Sequence, residues 1–587
     1  MPNFMLRLLL LAALFPATAG AFAQVADTSR TVLPDISPRE VEILGQLEIS
    51  FPSLQRQPLI GFNPPPRVPD VAADRRPLSE GYKRSRTSLP GTSVNKPEPP
   101  RVSFLGDVQP LRGELEAGAG RYLSRQLVAR INVPVNARVS VYANVDYEGT
   151  EGHELIGTDS LEALSNPFDA STGEAGIRRM GSRFSLGLAL DGAVAAYTLY
   201  GTNLLQSGGV STPIVLPGRH GRMGAASFWL NSQSEAPVDL RLRATMRGTR
   251  FWTEVFDNTL TPLSKLQRTE NRAEWKADLS VPFSLGDVLL ETDASAAGID
   301  ALFTRDVLYD FSGGTGLRLD LARSFRVALL GRFIGFSDVE GELTSFATGD
   351  LLLDFYPGRG LHLFLHQTPD VERNRLWELY RTNPFGVDRP EMQATLRPIN
   401  ARAGFDWFTG MVQFGARGGY IYSPNFAFFE GESDPPTTGY SYRRGIFPLV
   451  YDEVEIYHAG GNMSFVLPFG LQTEFGATYR DGRFKDSDAP IPYFSPVEGR
   501  GMISYLFNRR KTLFQVLATY HSPRHRSRFE DVEVDDYVEL DVTATHRVNP
   551  GLSLVLRTNN VLAGDLEYWE HYPESPFTLS AGLRVLW

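Results

Sequence analysis

The last eleven residues, Phe577-Thr-Leu-Ser-Ala-Gly-Leu-Arg-Val-Leu-Trp587, alternate almost without a break and then stop on an aromatic side chain. Phe577, Leu579, Ala581, Leu583, Val585 and Trp587 fall on one side of a period-two pattern, against Thr578, Ser580, Gly582, Arg584 and one apolar exception, Leu586. Successive side chains of an extended strand point to opposite faces, so this is one strand with an apolar face and a mostly polar one. A soluble sandwich strand would show the same pattern. Export, and repetition of the pattern along the chain, separate the two readings.

Arg7 is followed by the apolar run Leu8 to Phe15 and by Ala21-Phe22-Ala23, a small-x-small cleavage pattern, so residues 1–23 read as a signal peptide and Gln24 as the mature N-terminus. The run is well short of the ~20 residues a spanning helix needs. The chain of 587 residues has no cysteine, which excludes disulfides, thiolate metal sites and cysteine nucleophiles. Its formal charge of -10 becomes -11 once the one charge of the signal, on Arg7, is removed, and this acidity argues against nucleic acid as a partner. No later stretch reaches a continuous apolar helix of membrane length, while 54 Gly, 37 Phe and 22 Tyr accompany alternation along most of the chain. That combination is the signature of a transmembrane β-barrel in a Gram-negative-type outer membrane, with a large secreted all-β protein as the plain competitor.

Residues 24–107 are different in kind. They hold thirteen prolines, among them Pro64, Pro65, Pro66, Pro69, Pro97, Pro99 and Pro100, which forbid long central strands and interior helix. Between Arg67 and Arg101 eight basic residues face four acidic ones, so the stretch is locally positive. It reads as an extended periplasmic arm or a lumenal insert, with a disordered linker as the plain alternative.

From about residue 108 onward, tight turns alternate with longer connections. The turn chemistry of the sequence places short turns at Pro134–Asn136, Asp191-Gly192, Asn231–Pro237, Pro282–Gly286, Ala322–Ser324, Pro357–Gly360, Phe408–Gly410, Pro468–Gly470, Asn508–Arg510 and Asn549–Gly551. Longer excursions fall between them, for example over 148–180, 369–388, 423–448 and 562–575. Short turns on one side and long loops on the other mark outer-membrane barrels, and ten internal turns with both chain ends in the periplasm predict about twenty-two antiparallel strands. The predicted fold is therefore all-β, a large transmembrane barrel over 108–587 preceded by a proline-rich extension.

The faces follow from charge. Val238, Leu240, Leu242, Ala244 and Met246 oppose Asp239, Arg241, Arg243, Thr245 and Arg247. A charge at the bilayer midplane costs about 2–4 kcal/mol, so the arginine face must line the interior. Likewise Val538, Leu540, Val542 and Ala544 oppose Glu539, Asp541, Thr543 and Thr545, and Phe514, Val516, Ala518 and Tyr520 form another outward set. An unpaired edge in hydrocarbon leaves unsatisfied amides at several kcal/mol each, so the last strand must pair with the first.

The end of the chain resembles the TonB-dependent receptors. Leu552-Ser-Leu-Val-Leu-Arg-Thr-Asn-Asn-Val561, then Tyr572-Pro573, then the strand ending at Trp587, match that family's penultimate strand with its Asn-Asn transition, Tyr-Pro loop and aromatic-terminated last strand. Asn559, Asn560, Tyr572, Pro573 and Trp587 carry the match. Glu574-Ser-Pro576 replaces the family's Gly-Arg step, and Leu562-Ala563 stands where Phe is usual. The resemblance implies a role for Trp587 in recognition by the outer-membrane assembly machinery. It also implies high-affinity uptake through a plug domain, for which residues 24–107 are short and proline-rich, so the expectation is a receptor-like barrel with a reduced plug or none.

Two functions fit: a barrel that transports a solute, closed by its own N-terminal segment or long loops, or a non-transporting scaffold subunit of a surface or assembly complex. The expected surroundings are outer-membrane lipid and lipopolysaccharide, with periplasmic or surface proteins as partners. No enzyme is expected, and no catalytic, cofactor or metal residue is assigned. His458, His521, His525, His546 and His571 lack metal-ligand or nucleophile-base spacing. His362 and His366 share a strand face, yet four residues at about 3.4 Å rise separate them by roughly 13 Å, which reads as too far to share a metal. Glu430-Gly-Glu-Ser-Asp434 and Asp531–Asp541 read as solvated loop carboxylates rather than a cation site. Tyr420, Tyr422, Phe426, Phe428, Phe429, Tyr440 and Tyr442 read as girdle and loop packing rather than a ligand platform. Deleting Trp587 is expected to lower the share of chain recovered as heat-modifiable folded barrel in outer membranes; an unchanged share would remove its assembly role.

Overall fold

A computed structural model describes residues 113–587, apart from 153–165, 202–216, 257–261, 283–287, 300–307, 432–445 and shorter stretches of other connections. Residues 1–23, expected to be a signal peptide, and the proline-rich 24–107 lie outside the described residues. The chain begins with β1 (Gly113–Gly120), β2 (Arg125–Asn136), β3 (Val139–Thr150), β4 (Phe168–Met180), β5 (Phe184–Thr198), β6 (Gly218–Ser232) and β7 (Asp239–Phe256). It continues through β8 (Pro262–Pro282), β9 (Val288–Ile299), β10 (Leu308–Leu321), β11 (Phe325–Ser337), β12 (Leu343–Gly358) and β13 (Leu361–Gln367). There it leaves the wall for a small hairpin, β14 (Asp370–Arg373) and β15 (Ala394–Arg397), with helix α1 (Leu376–Thr382) between them. The wall resumes with β16 (Ile399–Phe408), β17 (Val412–Phe429), β18 (Leu449–Val466), β19 (Leu471–Phe484), β20 (Val497–Phe507) and β21 (Thr512–His521). A short pair, β22 (Arg524–His525) and β23 (Glu533–Val534), precedes β24 (Tyr537–Asn549) and β25 (Leu552–Asn559). A second pair, β26 (Glu567–Trp569) and β27 (Tyr572–Pro573), precedes the last strand, β28 (Thr578–Leu586).

Twenty-two strands form one antiparallel sheet that closes on itself through β1 and β28, from Glu114↔Leu586 to Gly120↔Ser580. The expected strand number is therefore met. Gly113 and Trp587 exchange both backbone hydrogen bonds at the seam, at 3.0 and 3.1 Å. A Cβ on Gly113 would overlap the Trp587 indole, so glycine is what lets the terminal ring lie across the first strand. On the lumenal side, Glu116 accepts from Arg584 at 2.7 Å and pairs with Arg557, while Glu114 lies 3.3 Å from Arg584. The arginine read from the terminal strand thus ties β28 to β1, and Arg557 carries the tie to β25.

The ten short turns of one end join β2–β3, β4–β5, β6–β7, β8–β9, β10–β11, β12–β13, β16–β17, β18–β19, β20–β21 and β24–β25. One of them is misplaced by the sequence reading. Asp191-Gly192 is not a turn but the middle of β5, where Gly192 pairs with Gly173 and Gly224. The turn lies at Gly181–Arg183, closed by the Gly181 amide donating to Phe184 O at 2.9 Å. Asp-Gly is a strong local turn signal, but here both residues are paired on each side within the sheet, Asp191 with Glu174 and Ala225 and Gly192 with Gly173 and Gly224. The expected excursion over 148–180 is shorter, since β4 occupies its second half.

The sequence-derived faces hold. Met246, Phe514 and Leu583 are exposed on the outer surface, whereas Arg247 reaches inward to Glu378 on α1 at 3.5 Å. Met246→Arg is expected to destabilise the folded barrel by about 2–4 kcal/mol. Arginine at lumen-facing Thr545 is expected to cost much less, both measured by denaturant titration of folding into vesicles.

Candidate functional site

The long-connection end, external by the usual asymmetry of such barrels, carries two layers of folded chain. The inner layer is the excursion 368–398. Leu376, Leu379 and Tyr380 fall on one face of α1 at helical spacing, in a chain otherwise built on a period of two. Leu376, Tyr380 and Met392 are buried against Phe251 of β7, and Val371, Ala394 and Leu396 pack on Ile334 and Phe336 of β11.

Charged groups fix this excursion to the lumen wall. Glu270, Arg272 and Glu274 project inward from alternate positions of β8. Glu270 accepts the Leu376 amide at 2.6 Å and the Arg272 guanidinium at 2.7 Å, and Arg272 also donates to Asn374 O at 2.7 Å. Arg375 grips Glu274 with two bonds of 2.8 Å, and Arg373 donates to Asp310 of β10 at 2.7 Å. Arg219 of β6, fully buried, donates to Asp388 at 2.9 Å, to the carbonyls of Pro384 and Gly386 at 2.7 and 2.6 Å, and to Thr253 Oγ1 at 2.9 Å. Its guanidinium also lies 4.8 Å from the Tyr380 ring centre. Asn425 of β17 accepts the Leu396 amide at 2.8 Å.

The outer layer is a cap where six external connections or their strand ends meet. Leu199, Phe385, Phe429, Phe447, Tyr493, Val534, Trp569 and Tyr572 form its buried core. Phe385 stacks on Tyr572 at 3.3 Å between ring centres, and Trp569 contacts Tyr493 at 4.7 Å. Buried Arg524 lies between Tyr568 and Tyr537, 4.7 and 5.3 Å from their ring centres, and donates to Glu567 O at 2.8 Å. Burial lifts the Tyr568 phenol to about 12 and pushes Tyr572 well above its usual range, so both stay neutral.

The residues carrying the family resemblance find their reasons here. Asn560 takes a left-handed backbone (φ 49°), donates its own amide to Asp541 at 3.1 Å and its side-chain amide to Gly564 O at 3.1 Å, making a tight exit from β25. Tyr572 of the Tyr-Pro pair is a cap anchor. Of the aromatic run, Tyr420 and Tyr457 pair on the outer face at 4.9 Å, while Phe428 and Phe429 enter packing clusters; Tyr440 and Tyr442 lie outside the described residues. Glu430 lies 3.3 Å from Arg528, which also pairs with Asp452 at 2.5 Å. Burial pushes the Glu430 carboxyl above its usual range while Arg528 pulls it back. Residues 432–434 of that acidic run are outside the described residues.

The histidine geometry adds a shared partner that the sequence reading did not foresee. His362 and His366 are far apart along the backbone, but their Nε2 atoms lie 2.9 and 2.8 Å from the same Asp354 Oδ1. Asp354 is paired with Phe364, midway between them, so both rings lean toward one carboxylate. Spacing along one strand could not reveal this third residue. Among the described residues, no three His, Cys, Asp or Glu side chains are arranged to hold a metal. His521 stacks on Tyr537 at 4.9 Å, and His525 lies 3.4 Å from Glu533, so these two serve different local structures.

A closed wall of twenty-two strands, a charged lumen and long connections gathered at one end define a large outer-membrane-type β-barrel. The FrpB iron transporter from Neisseria meningitidis superposes with a TM-score of 0.62 at 12% identity, over 82% of this chain and 83% of that one. The siderophore receptor PirA from Acinetobacter baumannii gives 0.60 at 10% identity, over 82% and 81% of the two chains. A mutant of the ferric enterobactin receptor PfeA from Pseudomonas aeruginosa gives 0.59 at 12% identity, over 81% and 80%. No family model matches the sequence, and neither does any curated protein. Arg219→Ala would break the buried pair with Asp388, a loss of about 3–5 kcal/mol. In this cysteine-free chain, thiol labelling of Met392→Cys should accordingly be slow alone and much faster when combined with Arg219→Ala.

Proposed function

We propose that this protein is a receptor-like outer-membrane barrel that transports a solute, with its external mouth shut by its own connections rather than by a full N-terminal plug. The observation that carries the reading is the excursion 368–398, anchored inside the lumen by Arg219, Glu270, Glu274 and Asp310. A lumen of this width normally needs a plug. Residues 24–107 are proline-rich and short for a globular one, which supports assigning part of the closure to 368–398. The solved receptors of similar fold handle iron, a siderophore or ferric enterobactin. An iron chelate is therefore the solute class we assign for testing.

The densely packed cap supports a second reading, a non-transporting scaffold whose external layer holds a partner protein. Conductance in planar bilayers separates them. The full chain is expected to be nearly silent, and a variant with residues 370–397 replaced by a short Gly-Ser link is expected to conduct; a variant lacking 24–107 reports how much that segment adds. Cells carrying the full chain should accumulate radioactive iron from at least one ferric chelate of a panel. A silent barrel in every variant, or conducting variants without uptake by the full chain, would replace transport by the scaffold reading.

A further inference from the structure

The outer surface of β4–β8 changes character with height. On β7 the outward positions run Leu240, Leu242, Ala244, Met246, Gly248, Arg250 and Trp252 from the short-turn end to the external end. The eight steps from Leu240 to Gly248 cover about 27 Å of strand, or about 21 Å of height at a tilt near 40°, close to the ~25 Å apolar band of such barrels. Arg250 therefore sits where hydrocarbon gives way to headgroups.

Directly opposite it on β6 is Arg222, also outward and exposed. One row higher, His220 stacks on Trp252 at 5.2 Å, and the guanidiniums of Arg222 and Arg250 lie 5.4 and 5.7 Å from the same indole. Arg250 also donates to Gln267 at 2.6 Å, a neutral partner. The nearby carboxylate, Glu254, lies 3.9 Å from His220. Like charges directly opposite on neighbouring strands repel. An anion held between them reverses the sign of that interaction, and paired guanidiniums suit the oxygens of a phosphate.

We propose that Arg222 and Arg250 clamp the phosphate of an outer-leaflet lipid headgroup, with Trp252 and His220 as the upper wall of the site. The surface below suits the rest of such a lipid. Outward Gly173, Gly192, Gly224 and Gly248 are directly paired in one row across β4–β7, and no atom lies within 4 Å of where a Cβ on Gly224 would stand. Acyl chains can therefore lie close to the backbone beneath the arginines.

Native mass spectrometry of the full chain in detergent tests this with three probes: a bis-phosphorylated lipid A, the same lipid dephosphorylated, and inorganic phosphate. The phosphorylated lipid is expected to bind about tenfold more tightly than the dephosphorylated one, and an Arg222→Ser/Arg250→Ser variant to lose that preference. Heat-modifiability checks that the variant is folded, and the comparison of the two lipids on the unaltered chain stands whether or not it is. Equal binding of both lipids, an undiminished preference in the folded variant, or displacement of the lipid by comparable concentrations of inorganic phosphate would each overturn the site.

Discussion

Every other feature of this protein depends on the hydrogen bonds between β1 and β28. In hydrocarbon, an open sheet edge leaves a row of amides and carbonyls without partners, so the wall closes or does not span. Closure is completed at the last residue, where Trp587 and Gly113 exchange both backbone bonds. The inner face repeats the tie with side chains, through Glu116 held by Arg584 and Arg557. Once the ring is shut, each strand has a lipid side and a lumenal side, and the charges have one place to go.

That place is wide, and the protein fills part of it with its own chain. The excursion 368–398 brings arginines to lumenal carboxylates and carbonyls to a lumenal arginine, so its position is set by complementary charge as much as by the apolar contacts of Leu376, Met392 and Leu396. Burying such pairs has a desolvation cost that their attraction offsets only with good geometry. Here the geometry is dense: Arg219 meets a carboxylate, two carbonyls and a hydroxyl. An arrangement of this kind specifies one seat for the excursion against the lumen wall.

The two external layers use different physics. The inner one is held mainly by charge, and the outer cap by aromatic packing around Phe385, Trp569 and Tyr572. Phe385 belongs to the excursion itself, so the cap core and the lumenal element share a residue. Displacing the excursion would therefore take a stacking partner from Tyr572 and loosen the cap, which couples the two layers mechanically.

The strand number, the inward and outward faces of β7, β24 and β28, and nine of the ten tight turns were legible in the sequence. Period-two alternation is local, and the membrane makes any violation costly. Asp191-Gly192 misled because a two-residue turn signal carries no information on the register that pairs it with β4 and β6. The candidate site was not legible: the sequence marked 369–388 only as a long excursion, and Arg375 finds Glu274 across 101 residues of sequence. The meeting of His362 and His366 on Asp354 was hidden for the same reason, since the third member belongs to a neighbouring strand. The sequence by itself thus determined a closed barrel and the side each residue takes, because those follow from spacing and solvent. Only the tertiary structure decided that 368–398 folds into the lumen beneath an aromatic cap, because that choice rests on pairings between strands that no local pattern encodes.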